Sequence, residues 1–157
     1  MSDFTHLDER GRARMVDVSE KQPTHRMARA GATVHADPAV IARIRDLTVA
    51  KGPVLEIARI AGIQAAKRTS DLIPLCHPLP IDGVEVDCQL GEDRVDIEAT
   101  ARCFARTGIE MEAMTAAAVA ALTVYDMCKA LDRTMVLTDV RLLEKSGGRS
   151  GHFRREG

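Results

Sequence analysis

The feature that most constrains this chain is a run of 13 residues without a charge, from Ala113 to Tyr125. Small and apolar residues occupy every side of the helix that this run predicts, which is typical of a helix buried all round. Such a helix needs a sheet and other helices to cover it. At roughly 1.5 Å per residue it extends only about 20 Å. A bilayer core measures about 30 Å, so no membrane partner is expected.

Length and charge narrow the class of protein. The chain has 157 residues, with 22 Lys and Arg against 23 Asp and Glu, which suits one ordinary domain. The near-neutral balance argues against binding to nucleic acid, for which a strongly basic surface is expected. A polar amino terminus and four cysteines without a CxxC pair favour a cytoplasmic protein with reduced thiols.

Hydrophobic periodicity predicts the order of elements around the central helix. Residues 1–14 are expected to form a mobile tail, and residues 15–157 a single catalytic domain with a flexible, glycine-rich C-terminal segment. Strands are predicted at 15–19, 27–35, 84–88, 95–100 and 135–143, and helices at 38–47, 53–67 and from Glu110 or Glu112 to Leu131. This order predicts an α+β fold, the ferredoxin-like βαββαβ plan with an antiparallel sheet and an additional helix.

Three prolines mark the first candidate site, between Leu72 and Pro80. They hold the chain extended and bias His77, which precedes Pro78, toward β or polyproline geometry. Side chains of neighbouring residues then point in opposite directions, so Cys76 and His77 are poorly placed to ligate one metal, and no metal is predicted. A solvent-facing loop histidine remains the alternative for His77.

Carboxylates mark the second candidate site, at the start of the central helix. Thr107 and Glu110 have the spacing of a capping box, which explains Glu110 but leaves Glu112 unexplained. On an extended segment Glu110 and Glu112 would project to one side and could hold a guanidine-like donor edge. In a continuous helix they would diverge.

Charged residues at the far end of the same helix form the third candidate site. Asp126 and Lys129 are three positions apart and can meet on one face. A surface ion pair, worth little, is the simple interpretation. Because the pair leaves a charge-free helix, shifted pKa values and an acid/base role are the alternative.

Scattered cations form the fourth candidate site. The glycines of the segment from Lys145 to Gly151 suit an anion-binding nest. Each cation alone is typical of a solvated surface charge. A polyphosphate ligand could gather several of them. These cations are Arg26, Lys51, Lys67, Arg68, Lys145 and Arg149. The four sites together suggest an enzyme that binds a phosphorylated heterocycle and moves protons.

Six strings of the sequence are specific in combination: Met15–Ser19, Ala58–Thr69, Asp71–Leu79, Thr107–Ala113, Ala120–Ala130 and Lys145–Gly151. They closely resemble the MoaC family of molybdenum cofactor biosynthesis, with mild departures at Ser70 and Arg149. The resemblance implies a lyase without a cofactor. Its substrate would be a small molecule derived from a nucleotide, 3′,8-cyclo-7,8-dihydroguanosine triphosphate, and its products cyclic pyranopterin monophosphate and diphosphate.

The resemblance also implies roles for individual residues. Asp126 would be the active-site residue, Lys129 its acid/base partner and Lys51 a second proton donor. The substrate-binding residues would be Leu75, Cys76, His77, Glu110, Met111, Glu112, Arg26, Lys67, Arg68 and Lys145. The family forms a homohexamer, a trimer of dimers, with its sites at dimer interfaces.

Helix geometry also favours shared sites. Glu112 and Asp126 lie 14 positions apart, or about 21 Å along one helix, too far for one base to touch both. Lys51 is therefore expected to enter a neighbour's site. An RNA-binding module and a noncatalytic carrier of the precursor remain alternatives, although the chain has few aromatics for stacking bases.

Overall fold

The computed structural model describes residues 5–157 of the chain. In chain order the elements are β1 (Thr24–His35), α1 (Pro38–Arg45), α2 (Val54–Ala66), α3 (Thr69–Leu72), β2 (Ile81–Leu90), β3 (Arg94–Ala105), α4 (Glu110–Cys128), β4 (Val136–Ser146) and β5 (Phe153–Arg154). The strands form one sheet in the order β2-β3-β1-β4-β5, and every neighbouring pair is antiparallel. The predicted α+β fold with the ferredoxin-like order is therefore confirmed.

Alanines let α4 approach the sheet closely. One face of α4 packs on β1 and β3 and another on α2, and the fully buried residues of α4 include Ala113, Ala116, Ala117, Ala120, Ala121 and Val124. On β1 the alternate residues Ala28, Ala30, Ala32 and Val34 are buried. Small residues on helix and strand therefore form one close-packed core.

One stripe of α4 is not covered. Leu122 is 56% exposed, and Met114 and Ala118 on the same stripe are half-buried. The prediction of a helix buried on every side is therefore wrong for this stripe within the single chain. No helix among residues 5–157 has both the length and the apolar character that crossing a membrane requires.

The first helix begins as predicted and ends earlier. The Asp37 carboxylate accepts a hydrogen bond from the Ala39 N–H at 2.8 Å, and Pro38 is the first helical residue. Leu47, at the end of the predicted helix, adopts a positive φ of 56° and is 72% exposed. Because this left-handed conformation turns the chain away, Leu47 lies outside the helix and the core.

The strand predicted at residues 15–19 does not form. This segment has no regular structure, and the preceding residues make only an isolated antiparallel bridge between Leu7 and Ala13. The mobility of the tail stays a prediction, and residues 1–4 of that tail lie outside the described residues.

Gly62 of α2 packs closely against α4. A Cβ at this position would lie 2.9 Å from the Ala116 carbonyl oxygen and 3.1 Å from a methyl carbon of Val86. We therefore expect Gly62→Val to lower the free energy of unfolding by about 2 kcal/mol through overpacking. Chemical denaturation measures this. Gly83→Val is the control, because nothing lies within 4 Å of its Cβ position, and equal stability of the two variants would contradict the packing.

Candidate active site

A cavity of about 270 Å³ lies where the segment before β2 meets the first turn of α4. We call it the carboxylate pocket. The residues that line it are Thr5, His6, Val16, Val18, Lys21, Leu75, Cys76, His77, Leu79, Thr107, Gly108, Glu110, Met111 and Glu112. The structure thus brings the first and second candidate sites together. A larger open depression of about 680 Å³ beside Asp37 and Asp132 contains none of the predicted site residues.

Glu112 is the most unusual group in the carboxylate pocket. It is only 4% exposed, and burial, with a smaller contribution from the charge of Glu110, raises its pKa from 4.5 to about 7. A carboxyl group with this pKa exchanges its proton near neutral pH, which suits general acid/base chemistry.

The predicted capping box is absent. The N-cap of α4 is Ile109, without a side-chain hydrogen bond, and the Glu110 carboxylate instead folds back over Gly108, where a Cβ would collide with it. Glu110 and Glu112 both lie in the continuous helix α4. They nevertheless line the same cavity. The expectation that a helix would separate the two carboxylates is wrong here.

His77 and Cys76 also line the carboxylate pocket. The Nε2 atom of His77 lies 2.6 Å from the carbonyl oxygen of Val16, so this histidine is tied to the N-terminal segment and is not a free loop side chain. Burial, and secondarily the nearby Glu112, raises the pKa of the Cys76 thiol. The thiol therefore stays protonated at neutral pH and is not a ready nucleophile.

A second group of residues, which we call the lysine cluster, lies at the far end of α4. The two Asp126 carboxylate oxygens accept hydrogen bonds from Lys129 Nζ at 2.7 Å and from Lys51 Nζ at 3.1 Å. Lys51 also donates to the Asp126 carbonyl at 2.8 Å. These three predicted catalytic residues thus meet within one chain. The entry of Lys51 into a neighbour's site stays a prediction.

Charge sets the chemistry of the lysine cluster. Lys129 most strongly, and then Lys51, holds the pKa of Asp126 below its ordinary value. Asp126 therefore stays ionised at neutral pH and holds two ammonium groups in place. The three side chains are about half exposed, so the cluster is open to a ligand.

The carboxylate pocket and the lysine cluster do not meet within one chain. Glu112 belongs to the first turn of α4 and Asp126 to its last, a separation of about 21 Å along the axis. A single base cannot touch both residues.

The remaining predicted cations lie outside the carboxylate pocket. Arg26 donates from Nε to the Ala105 carbonyl at 3.0 Å and from Nη2 to the Arg106 carbonyl at 3.1 Å, and it packs on Gly148. Two of its donor nitrogens are thus used within the chain. Its binding to phosphate stays a prediction.

Lys145 contacts the Ser150 hydroxyl across the predicted nest. Lys67 and Arg68 are exposed at the end of α2. The structure does not bring these three cations to the carboxylate pocket.

Sequence reasoning missed the N-terminal lining of the carboxylate pocket. Its residues are Thr5, His6, Val16, Val18 and Lys21. They show no periodicity, and the only signal was the string Met15–Ser19 within the family resemblance. Among residues 5–157 no three His, Cys, Asp or Glu side chains are grouped as metal ligands.

Comparison with known proteins finds relatives over nearly the whole chain. The MoaC family model matches residues 15–148. A cyclic pyranopterin monophosphate synthase of Thermomicrobium roseum is 58% identical over 99% of this chain and 95% of its own length. Cyclic pyranopterin monophosphate synthase 3 of Mycobacterium tuberculosis is 62% identical over 97% and 86%, respectively. The Heliobacterium modesticaldum protein is 56% identical over 99% of both chains.

The raised pKa of Glu112 predicts how stability depends on pH. Between pH 4.5 and about 7 the folded chain keeps the proton on Glu112 while the unfolded chain loses it, so stability falls as pH rises through this window. Glu112→Gln removes this loss, and we expect it to unfold with a free energy on the order of 3 kcal/mol higher than wild type at pH 8. Urea titrations at pH 4 and pH 8 measure the difference, which should nearly vanish at pH 4. The same difference at both pH values would contradict the raised pKa.

Proposed function

The chain belongs to the MoaC family, and we propose that it catalyses the reaction for which its relatives are named, the formation of cyclic pyranopterin monophosphate. The substrate is 3′,8-cyclo-7,8-dihydroguanosine triphosphate, and diphosphate is released. The observation that carries the assignment is the meeting of Leu75–His77 with Glu110–Glu112 in one cavity that holds a buried carboxyl group.

The carboxylate pocket suits the ring system of the substrate. Its volume, about 270 Å³, lies just below the roughly 300–1,000 Å³ of sites that enclose a whole drug-sized ligand. It therefore takes the fused heterocycle and leaves the sugar and the phosphates outside. The N–H groups of the ring can donate to Glu110 and Glu112, and the pKa of Glu112 near 7 lets this group return a proton during ring rearrangement.

The lysine cluster suits the triphosphate end. Cyclic phosphate formation makes a bond from a sugar hydroxyl oxygen to the α-phosphorus, and the hydroxyl proton passes to water. The bond from that phosphorus to diphosphate breaks, and diphosphate leaves with its negative charge. Lys51 and Lys129 are positioned by the ionised Asp126. Their ammonium groups can neutralise the developing charge and supply protons, the preorganised electrostatic stabilisation that enzymes use in such steps.

A complete site then needs two chains. The uncovered stripe of α4 runs from Met111 through Met114, Ala118 and Leu122 to Asp126. A second copy packed antiparallel along this stripe, about a twofold axis, places the carboxylate pocket of one chain beside the lysine cluster of the other. We propose this pairing as the dimer of a homohexamer that is a trimer of dimers.

Assembly also gives the outlying cations a role. We propose that Arg26, Lys67, Arg68 and Lys145 surround the triphosphate in the oligomer. Each lies outside the carboxylate pocket in the single chain, and Lys67 and Arg68 are exposed at the end of α2.

The assignment predicts turnover and its loss. Purified protein should convert the cyclised GTP intermediate to the cyclic phosphate pterin, detected by chromatography after oxidation to a fluorescent product. Asp126→Asn and Lys129→Ala should each lower kcat by at least about 10²-fold. Lys129→Ala removes a proton donor, and Asp126→Asn removes the charge that positions Lys51 and Lys129. Binding should change much less in Asp126→Asn.

Asp87→Asn is the control, since this aspartate of β2 is exposed and its side chain accepts a hydrogen bond from Gln89, far from both groups of site residues in sequence. No product from folded wild-type protein would contradict the function. Near-normal turnover by both variants would show that Asp126 and Lys129 form a mere surface ion pair.

A further inference from the structure

The N-terminal segment from Thr5 to Lys21, which we call the strap, forms one wall of the carboxylate pocket. Apart from one isolated bridge it has no regular secondary structure. Sheet hydrogen bonds therefore do not determine its position, and contacts with distant residues must do so.

His77 makes the first of these contacts. Its Nε2 atom lies 2.6 Å from the carbonyl oxygen of Val16. A carbonyl oxygen can only accept, so Nε2 must carry the hydrogen, and in the neutral imidazole the lone pair then lies on Nδ1. The strap thus selects one of the two tautomers of a residue that lines the pocket.

Arg106 makes the second contact. Its Nε donates to the carbonyl oxygen of Lys21 at 3.0 Å. Its own carbonyl accepts from Arg26 at 3.1 Å. Arg106 is exposed and does not line the carboxylate pocket, although the next residue, Thr107, does. The Arg106 guanidinium group contacts the strap at Lys21.

We propose that the strap is a positioning element of the active site, in which the Val16 carbonyl holds His77 as the Nε2–H tautomer and leaves Nδ1 to accept an N–H of the bound heterocycle. The contacts at Val16 and Lys21 keep this wall of the pocket in place. The binding of the heterocycle by Nδ1 of His77 rests on the proposed function. The assignment of the Nε2–H tautomer does not.

Nitrogen NMR of protein labelled with ¹⁵N-histidine tests the tautomer without substrate. The signals that disappear in His77→Gln identify this residue among the five histidines. At a pH where the ring is neutral, we expect a protonated Nε2 and a lone pair on Nδ1. A protonated Nδ1, or averaging between the two tautomers, would overturn the proposal even if the enzyme is active.

Steady-state kinetics test whether the contact of Arg106 with the strap keeps this wall of the carboxylate pocket in place. Arg106→Ala removes one hydrogen bond to the strap and should raise KM by about 2- to 10-fold. The kcat should stay within about twofold, since uniform binding is lost and no reacting group is touched. Arg106→Lys keeps a donor and should restore much of the loss.

Arg102→Ala is the matched control. Arg102 belongs to β3, four positions before Arg106, which follows the end of this strand. The Arg102 side chain contacts the Glu85 carboxylate, not the strap. Equal KM values for Arg106→Ala and the wild type would overturn the positioning role. Inactive wild-type protein would overturn the proposed function, and the nitrogen spectra would then decide the tautomer on their own.

Discussion

Close packing of the alanine-rich α4 against the sheet and α2 is the constraint on which the rest of the structure depends. Fully buried alanines such as Ala116 and Ala120 allow it, and so does Gly62, which leaves no room for a side chain between the two helices. A helix held in this way is a rigid spacer. It keeps the carboxylate pocket at one end and the lysine cluster at the other, about 21 Å apart.

The two ends of α4 place similar groups in opposite environments. Burial raises the pKa of Glu112 to about 7, whereas Lys129 and Lys51 lower the pKa of Asp126. One carboxyl group can therefore exchange protons near neutral pH, and the other stays charged and orients two amines. This is how environment divides acid/base work between two carboxylates. In the proposed dimer, each substrate meets one end of each helix.

Local patterns predicted the parts of the fold that local chemistry determines. Hydrophobic periodicity predicted strands within β2 and β3 and the start of α1 at Pro38. The strap was not predictable in this way, because its partners His77 and Arg106 lie 61 and 85 positions along the chain from Val16 and Lys21. The prediction of a strand at 15–19 was wrong because contacts with distant residues, such as that of Val16 with His77, hold this segment.

In the candidate site, too, local patterns predicted some contacts, and others depend on distant parts of the chain. The Asp126–Lys129 contact follows from helical spacing, and the structure confirms it. The bond from Lys51 to Asp126 of the same chain depends on how the loop before α2 packs, which no local pattern reports. Nor could spacing predict that Glu110 and Glu112 line one cavity, since this depends on the loop carrying His77.

Mixing inactive variants tests the two-chain site most directly. Glu112→Ala, in the carboxylate pocket, and Lys129→Ala are combined, with subunit exchange verified by mass spectrometry. A twofold dimer of one chain of each kind has one intact and one doubly altered site, so random mixing should restore about a quarter of wild-type activity. Lys51→Ala mixed with Lys129→Ala should restore none, because both lysines bind Asp126 of their own chain. Verified mixed oligomers of the first pair with no activity above either parent would contradict the account.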